Sequence, residues 1–355
     1  MKHSIIDIIA NLNRSLADDF HVTPVYAPNA PIFMAVAWPK GETVTGLKPR
    51  LPAGRGTTLA QAMLSAGAEA IELRASLAQY HLSDIARLPR YQGRAMVEGQ
   101  DLLTGAVVLV PAQLVYLDYA HVSGEAMYAD ADSTGCASGS TATQATQTAL
   151  LECLERDAMA LWWHGGLAAA ALPLDLIDAR LPRLFWWLQE RPRKTRLLGL
   201  TTDTGVAVVA AISAEPDGYG VATGTSARLD PAEAALCAVT EMLQTEAAMA
   251  QAAAVQNPDY LQWRDHACMQ TMAQFQTHAA WPPNLASDTP AVLQRLSGLD
   301  HRALVVGLTL PDDPQPTVRV VVPGLCAMQG RIDVPRFTRL TGRIAPSGQT
   351  QIEPF

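Results

Sequence analysis

Six runs of the chain are rich in Val, Ile and Leu and bounded by Gly, Pro or Asp. They are PIFMAVAW (31–38), AVVLVPAQLVYL (106–117), RLLGLTT (196–202), VAVVAAIS (206–213), ALVVGLTL (303–310) and TVRVVVPG (317–324). Near-continuous apolar runs of this length predict buried strands. Between them lie stretches with helical spacing: 58–80, 141–163, 181–191 and 230–254. Each long one follows a Thr, Ser or Asp able to cap a helix. Strands and helices do not alternate with strict regularity, so the pattern predicts an α+β or mixed fold around one large core. WPPNLASDTP (281–290) and LPDDPQPT (310–317) read as loops, and no low-complexity linker marks a domain cut. A single domain spanning residues 1–355 is expected.

Three of the helical stretches share a feature. Glu69 and Glu72, Glu152 and Glu155, and Glu241 and Gln244 each stand three residues apart in a segment of small residues. Side chains at i and i+3 share one side of a helix, about 5–6 Å apart at Cβ. On a helical wheel Leu151, Leu154, Ala158, Leu161 and Trp162 form an apolar sector, with Glu155 at its edge and Glu152 about 60° further round. One acidic pair of this kind is ordinarily a solvated face. Three on alanine-rich helices also fit a cation site, because half-buried carboxylates must be paired or bind a cation. Arg156 alone does not neutralise four of them. Hard divalent cations such as Mg2+ take carboxylate oxygens together with nucleotide phosphates. DSTGCASGST before the second helix and AGRGTT before the first read as Gly-rich turns suited to anions, the latter adding Arg55.

Composition narrows the choice. Charged residues make up 17% of 355 and the formal net charge is −8, without a Lys/Arg block. A phosphate-backbone binder carries a basic patch, so nucleic acid is not the expected partner. No apolar run is long enough to span a bilayer and the N-terminus is a poor signal peptide, so a cytoplasmic protein is expected. The five cysteines are widely spaced with no C-x-x-C pair, which argues against a disulfide framework or a cysteine zinc site. Cys136, in a Gly/Ser-rich turn, is the one candidate reactive thiol; a small buried residue is the ordinary alternative. His164, Trp186 and Trp187 read as packing residues. No P-loop, G-x-S-x-G, H-E-x-x-H or dinucleotide G-x-G-x-x-G occurs on a suitable turn.

With these residues laid out, the sequence resembles the YcaO family of ATP-dependent enzymes that modify peptide backbones. The resemblance runs from about residue 54 through GRGTTLAQAMLSAGAEAIELRAS, VEGQDLLTGAVVLVPAQLVYLDY, STGCASGSTATQATQTALLECLERDAMALWWH, GTSARLDPAEAALCAVTEMLQTEAA and TVRVVVPGL. It leaves residues 1–53 as a divergent N-terminal segment. ERDAMALWWH and LLGLTTDTGVAVVAAIS look most like the azoline-forming branch. The resemblance implies a YcaO-like α+β fold whose helices converge on an acidic ATP/Mg2+ cleft. It implies Glu69, Glu72, Glu152 and Glu155 as Mg2+ ligands, and Arg55, Ser140, Arg156, Glu241 and Gln244 as nucleotide-binding or supporting residues. The implied activity converts Cys, Ser or Thr of a ribosomally made precursor peptide to thiazoline or oxazoline. A thioamide-forming enzyme using a sulfur donor, and a non-catalytic nucleotide-binding assembly subunit, are the alternatives.

Two departures stand out. The family's S-G-N-T turn and following acidic residues read SGSTATQA here, with Ser140 for Asn and Gln144 for Glu. The chain ends QTQIEPF where azoline-forming members carry a proline-rich tail. The tail, residues 345–355, is expected to reach the active site and offer the terminal carboxylate of Phe355 as a base. Expected partners are the precursor peptide, a separate leader-binding protein, a flavin-dependent dehydrogenase where azoles form, and a second copy of the chain as a homodimer.

Overall fold

The computed structural model describes the chain except residues 1–4, 26–29, 42–43, 48–49, 130, 201, 282–284, 329–333 and 346–355. Contacts divide it into two compact units. The first is built from the N-terminal segment, Phe33–Cys153 and Leu296–Pro323; the second chiefly from Leu154–Arg295 and the chain after Gly324. Each unit draws on segments far apart in the chain, which is why no linker betrays the division. Three long helices carry the acidic pairs: α1 (Leu59–Ser76), α2 (Ala142–Trp163) and α3 (Pro231–Ala254). The unit boundary falls within α2, after Cys153.

In the first unit, Phe20–Val25, Phe33–Pro39 and Ala53–Gly56 form an antiparallel sheet in chain order. α1 packs on it, and glycine makes the approach possible. A Cβ on Gly54 would lie 2.1 Å from the Ala66 amide nitrogen and 2.3 Å from the Ala62 carbonyl oxygen. AGRG, read from sequence as a turn, is therefore a strand: its glycines serve close strand–helix packing. Leu12, Leu16, Phe20, Ile71, Leu77 and Leu117 close the core beside α1. A second, six-stranded sheet runs Arg90–Tyr91, Arg94–Asp101, Leu304–Gly307, Thr317–Val321 and Cys136–Ser138, with Val107–Pro111 also paired to Arg94–Asp101. Every pairing in it is antiparallel.

The second unit holds a five-stranded sheet in the order Ala222–Arg228, Ala207–Ala214, Lys194–Leu200, Ala169–Leu172, Thr277–Ala279. Its last pairing is parallel and the others antiparallel. All residues of Ala207–Ala214 are buried, as its unbroken apolar run requires. α3 lies along Ala222–Arg228, where a Cβ on Gly224 would sit 2.2 Å from the Met242 amide nitrogen. That strand, ATGTSAR, has no Val or Ile and was not legible as one: small residues are selected there for the helix's approach.

The architecture is α+β, with mixed helices and sheets. The expected strand over 106–117 stops at Pro111, and a helical turn Ala112–Val115 follows. The helix expected over 58–80 ends at Ser76, where Leu77 turns extended and a short 3-10 turn follows at Ala78–His81.

Candidate active site

The three long helices begin alike. Thr58 caps α1: its hydroxyl accepts the Gln61 amide, and the Gln61 side chain accepts the Thr57 and Thr58 amides at 3.0 and 3.2 Å. At α2 the Thr141 hydroxyl accepts the Gln144 amide, while the Gln144 side chain accepts the Ser140 amide at 3.1 Å and the Ser140 hydroxyl at 2.6 Å. Asp230 caps α3 through the Ala232 amide. The capping box of α1 and the Thr141 cap of α2 satisfy helix donors that otherwise have no partner. The departures at Ser140 and Gln144 therefore meet each other in a local capping role, on an exposed turn.

From each cap the first acidic residue stands eleven positions on (Glu69, Glu152, Glu241) and the second fourteen (Glu72, Glu155, Gln244). The pairs share one register in their helices, and the carboxylates grip backbone in a recurring way. Glu69 accepts the Ala53 amide at 3.0 Å, from the strand leading into its own helix. Glu152 likewise accepts the Gly135 amide at 3.2 Å, just before α2. Glu72 and Glu155 each reach the strand that leads into the next helix. Glu72 takes the Ser138 amide. Glu155 takes the Ala227 amide at 2.9 Å and the Thr225 hydroxyl at 2.7 Å. Ser138 and Ala227 both lie three residues before a cap.

In the first unit Glu69, Glu72 and Glu152 come together, all half-buried. The Glu72 carboxyl is held well above the ordinary carboxylate range. Lost solvation is the largest cause, then the charges of Glu152 and Glu69; the Ser138 amide and the Arg319 guanidinium oppose them. Arg319 is 5% exposed. It donates to the Asp132 carbonyl at 2.6 Å and to the Cys136 sulfur at 3.0 Å, while its Nε is buried without a hydrogen-bond partner. A divalent cation fits this charge distribution, because Glu152 and Glu69 both press on Glu72 and the hydrogen bonds of Arg319 go to neutral groups. Among the described residues, no three His, Cys, Asp or Glu close around a metal on their own. Mg2+ is ordinarily held by one or two carboxylates plus phosphates and water, and needs no such cage.

In the second unit Glu155 is 6% exposed and ion-paired with Arg156 at 3.3 Å. Arg156 also donates to the Met159 sulfur. Glu241 and Gln244 are half-buried on α3, with the Glu241 backbone against Gly224 of the strand that Glu155 grips. Arg55, half-buried, lies in the first unit on the strand Ala53–Gly56, opposite Met34. Phe355 and the tail from residue 346 lie outside the described residues. Cys136 is buried and its thiol is pushed up to about 11 by burial, so the bland alternative for this cysteine holds.

The family model for YcaO cyclodehydratase, described as ATP- and Mg2+-binding, matches residues 78–326. The chain belongs to the YcaO family. The matched region contains Ser140, Glu152, Glu155, Arg156, Glu241 and Gln244, and begins after Arg55, Glu69 and Glu72. Its relatives include an uncharacterized protein in the tfuA 3' region of Rhizobium leguminosarum bv. trifolii, 27% identical over 77% of this chain and 76% of that protein. A heterocyclase solved in complex with substrate and cofactor matches with a TM-score of 0.74 and 19% identity, over 98% of this chain and 57% of its own. YcaO from Methanopyrus kandleri bound with AMPPCP and Mg2+ matches with a TM-score of 0.67 and 22% identity, over 97% and 94%. At these identities the solved structures show the shared YcaO fold. This YcaO chain spans little more than half the length of the heterocyclase it matches. The sequence missed Arg319, although one Arg inside the apolar run TVRVVVPG was a legible signal.

Proposed function

We propose that this YcaO chain is the ATP-dependent subunit of a peptide cyclodehydratase, converting Cys, Ser or Thr of a ribosomally made precursor to a thiazoline or oxazoline. The observation that carries the reading is the cluster of Glu69, Glu72 and Glu152, three half-buried carboxylates held by backbone amides at matched positions in two helices. An amide oxygen is a poor leaving group. Phosphorylation at the expense of ATP makes it a good one once the neighbouring thiol or hydroxyl has added to the carbonyl carbon. The oxygen then departs as phosphate and the C=N bond of the ring forms.

Mg2+, when bound, offsets phosphate charge, and Glu69, Glu72 and Glu152 are the first-unit residues that hold it. Taken by itself, the second unit offers Glu155 as a Mg2+ ligand, Arg156 as positive charge toward phosphate, and Glu241 and Gln244 as their support. Ser140 and Arg55 contribute at the helix N-termini, where backbone amides and the helix dipole favour anions. The protein's task is positioning and charge neutralisation. A precursor peptide and a separate leader-binding partner complete the machinery.

The test is mass spectrometry of a Cys/Ser/Thr-containing precursor incubated with the chain, its partner and ATP. Loss of about 18 Da per ring, with matching phosphate release, is expected. An unchanged peptide mass with all components present overturns the reading. Thioamide formation at a backbone amide is the alternative reading within the same family. A gain of about 16 Da with ATP consumed selects it.

A further inference from the structure

We infer that Arg319 is a positioning residue for the carboxylates Glu72 and Glu152, through the segment Asp132–Ser138; this rests on the reading of those carboxylates as Mg2+ ligands. Three observations within the first unit combine. The strand Thr317–Val321 pairs antiparallel with Cys136–Ser138, Arg319 opposite Cys136. The Val320 amide reaches the Gly135 carbonyl at 2.7 Å, and the Ser138 and Thr317 hydroxyls meet at 2.8 Å. From this strand the Arg319 guanidinium reaches across to the Asp132 carbonyl and the Cys136 sulfur, pinning the turn at both ends. The amides of that turn hold the acidic groups: Gly135 donates to Glu152, and Ser138 to Glu72.

A buried guanidinium is strongly unfavourable unless its surroundings compensate it. Cys136 is an uncharged acceptor, and Asp132, at the start of the same turn, is the carboxylate whose charge favours the guanidinium. Gly135, at φ +80°, has no side chain to fix its peptide, and a Cβ there would lie 2.2 Å from the Val320 carbonyl oxygen. The direction of its N–H toward Glu152 thus depends on how the turn is held. Arg319 holds the turn mechanically and its charge opposes the rise of the Glu72 pKa, so the carboxylates are set before a cation arrives.

The test is a titration of the full chain with Mn2+ at saturating AMPPCP, read by the electron paramagnetic resonance of free Mn2+, with thermal unfolding of each variant alongside. Arg319→Gln should weaken Mn2+ binding about tenfold, the scale on which groups that orient metal ligands act. Arg319→Lys should recover part of the loss, and Cys136→Ala should show a smaller loss in the same direction. Folded Arg319→Gln and Cys136→Ala proteins that bind Mn2+ like the wild type overturn the inference. If Arg319→Gln does not fold, wild-type affinity in both Arg319→Lys and Cys136→Ala overturns it. Glu72→Gln tests the underlying reading separately. Undiminished Mn2+ binding there removes the metal assignment, whatever Arg319 does.

Discussion

Glu155 accepts the amide of Ala227 at 2.9 Å, three residues before the cap of α3. A buried carboxylate thereby ties its helix to the strand that launches the next one. Its other oxygen takes the Thr225 hydroxyl. Thr225→Val keeps the side chain's shape and removes that donor from a buried anion. The expected cost is about 1–3 kcal/mol in urea unfolding. An unchanged midpoint would mean that Glu155 is satisfied without Thr225.

Glu72 yields a pH-dependent prediction. Its folded-state pKa is raised, first by lost solvation and then by Glu152 and Glu69. Stability from such a group is fully present below the ordinary glutamate range and is lost as pH rises through the raised value. Glu72→Gln removes the charge, so the variant should gain thermal stability relative to the wild type as pH rises above the ordinary glutamate range. Added Mg2+ and AMPPCP should reverse the order by stabilising the wild type alone. Parallel melting curves above that range would refute the assignment of a strained acid.

Arg336 is 3% exposed and bridges Asp157, wholly buried, with Asp203; the Cys326 amide also reaches Asp157. Removing one member leaves buried charge uncompensated. Arg336→Met should cost about 3–5 kcal/mol in chemical denaturation. A loss below about 1 kcal/mol would show that this lattice is no more than a surface-grade ion pair.

Gly54→Ala places a methyl against the backbone of Ala62 and Ala66 rather than a movable side chain. The strand must shift, and Ala53, whose amide holds Glu69, shifts with it. A destabilisation of about 1–3 kcal/mol is expected, together with weaker AMPPCP binding by calorimetry. Unaltered nucleotide affinity would separate Glu69 from the site.

Burial pushes the Cys136 thiol up to about 11. Thiol-labelling reagents at neutral pH should leave Cys136 unmodified in the native protein and label it after denaturation, as read by peptide mapping. Rapid native labelling would contradict its burial.

The sequence by itself determined much of this protein. Unbroken apolar runs, such as VAVVAAIS, have one low-energy place, a strand covered on both faces. Thr58, Thr141 and Asp230 start their helices through local hydrogen bonds that need no tertiary partner. The acidic pairs follow from helical spacing alone, and the ordered motifs carried the family. Tertiary structure decided the rest. AGRG and ATGTSAR are strands because their small residues let α1 and α3 approach, a reason that lies outside the segments themselves. Glu72 and Glu152 meet because separate helices and a sheet place them together, and Arg319 joins them from more than 160 residues away along the chain. Local chemistry is written in spacing, whereas the environment that raises the Glu72 pKa and anchors Glu155 comes from groups distant in sequence. Their proximity exists only once the chain has packed.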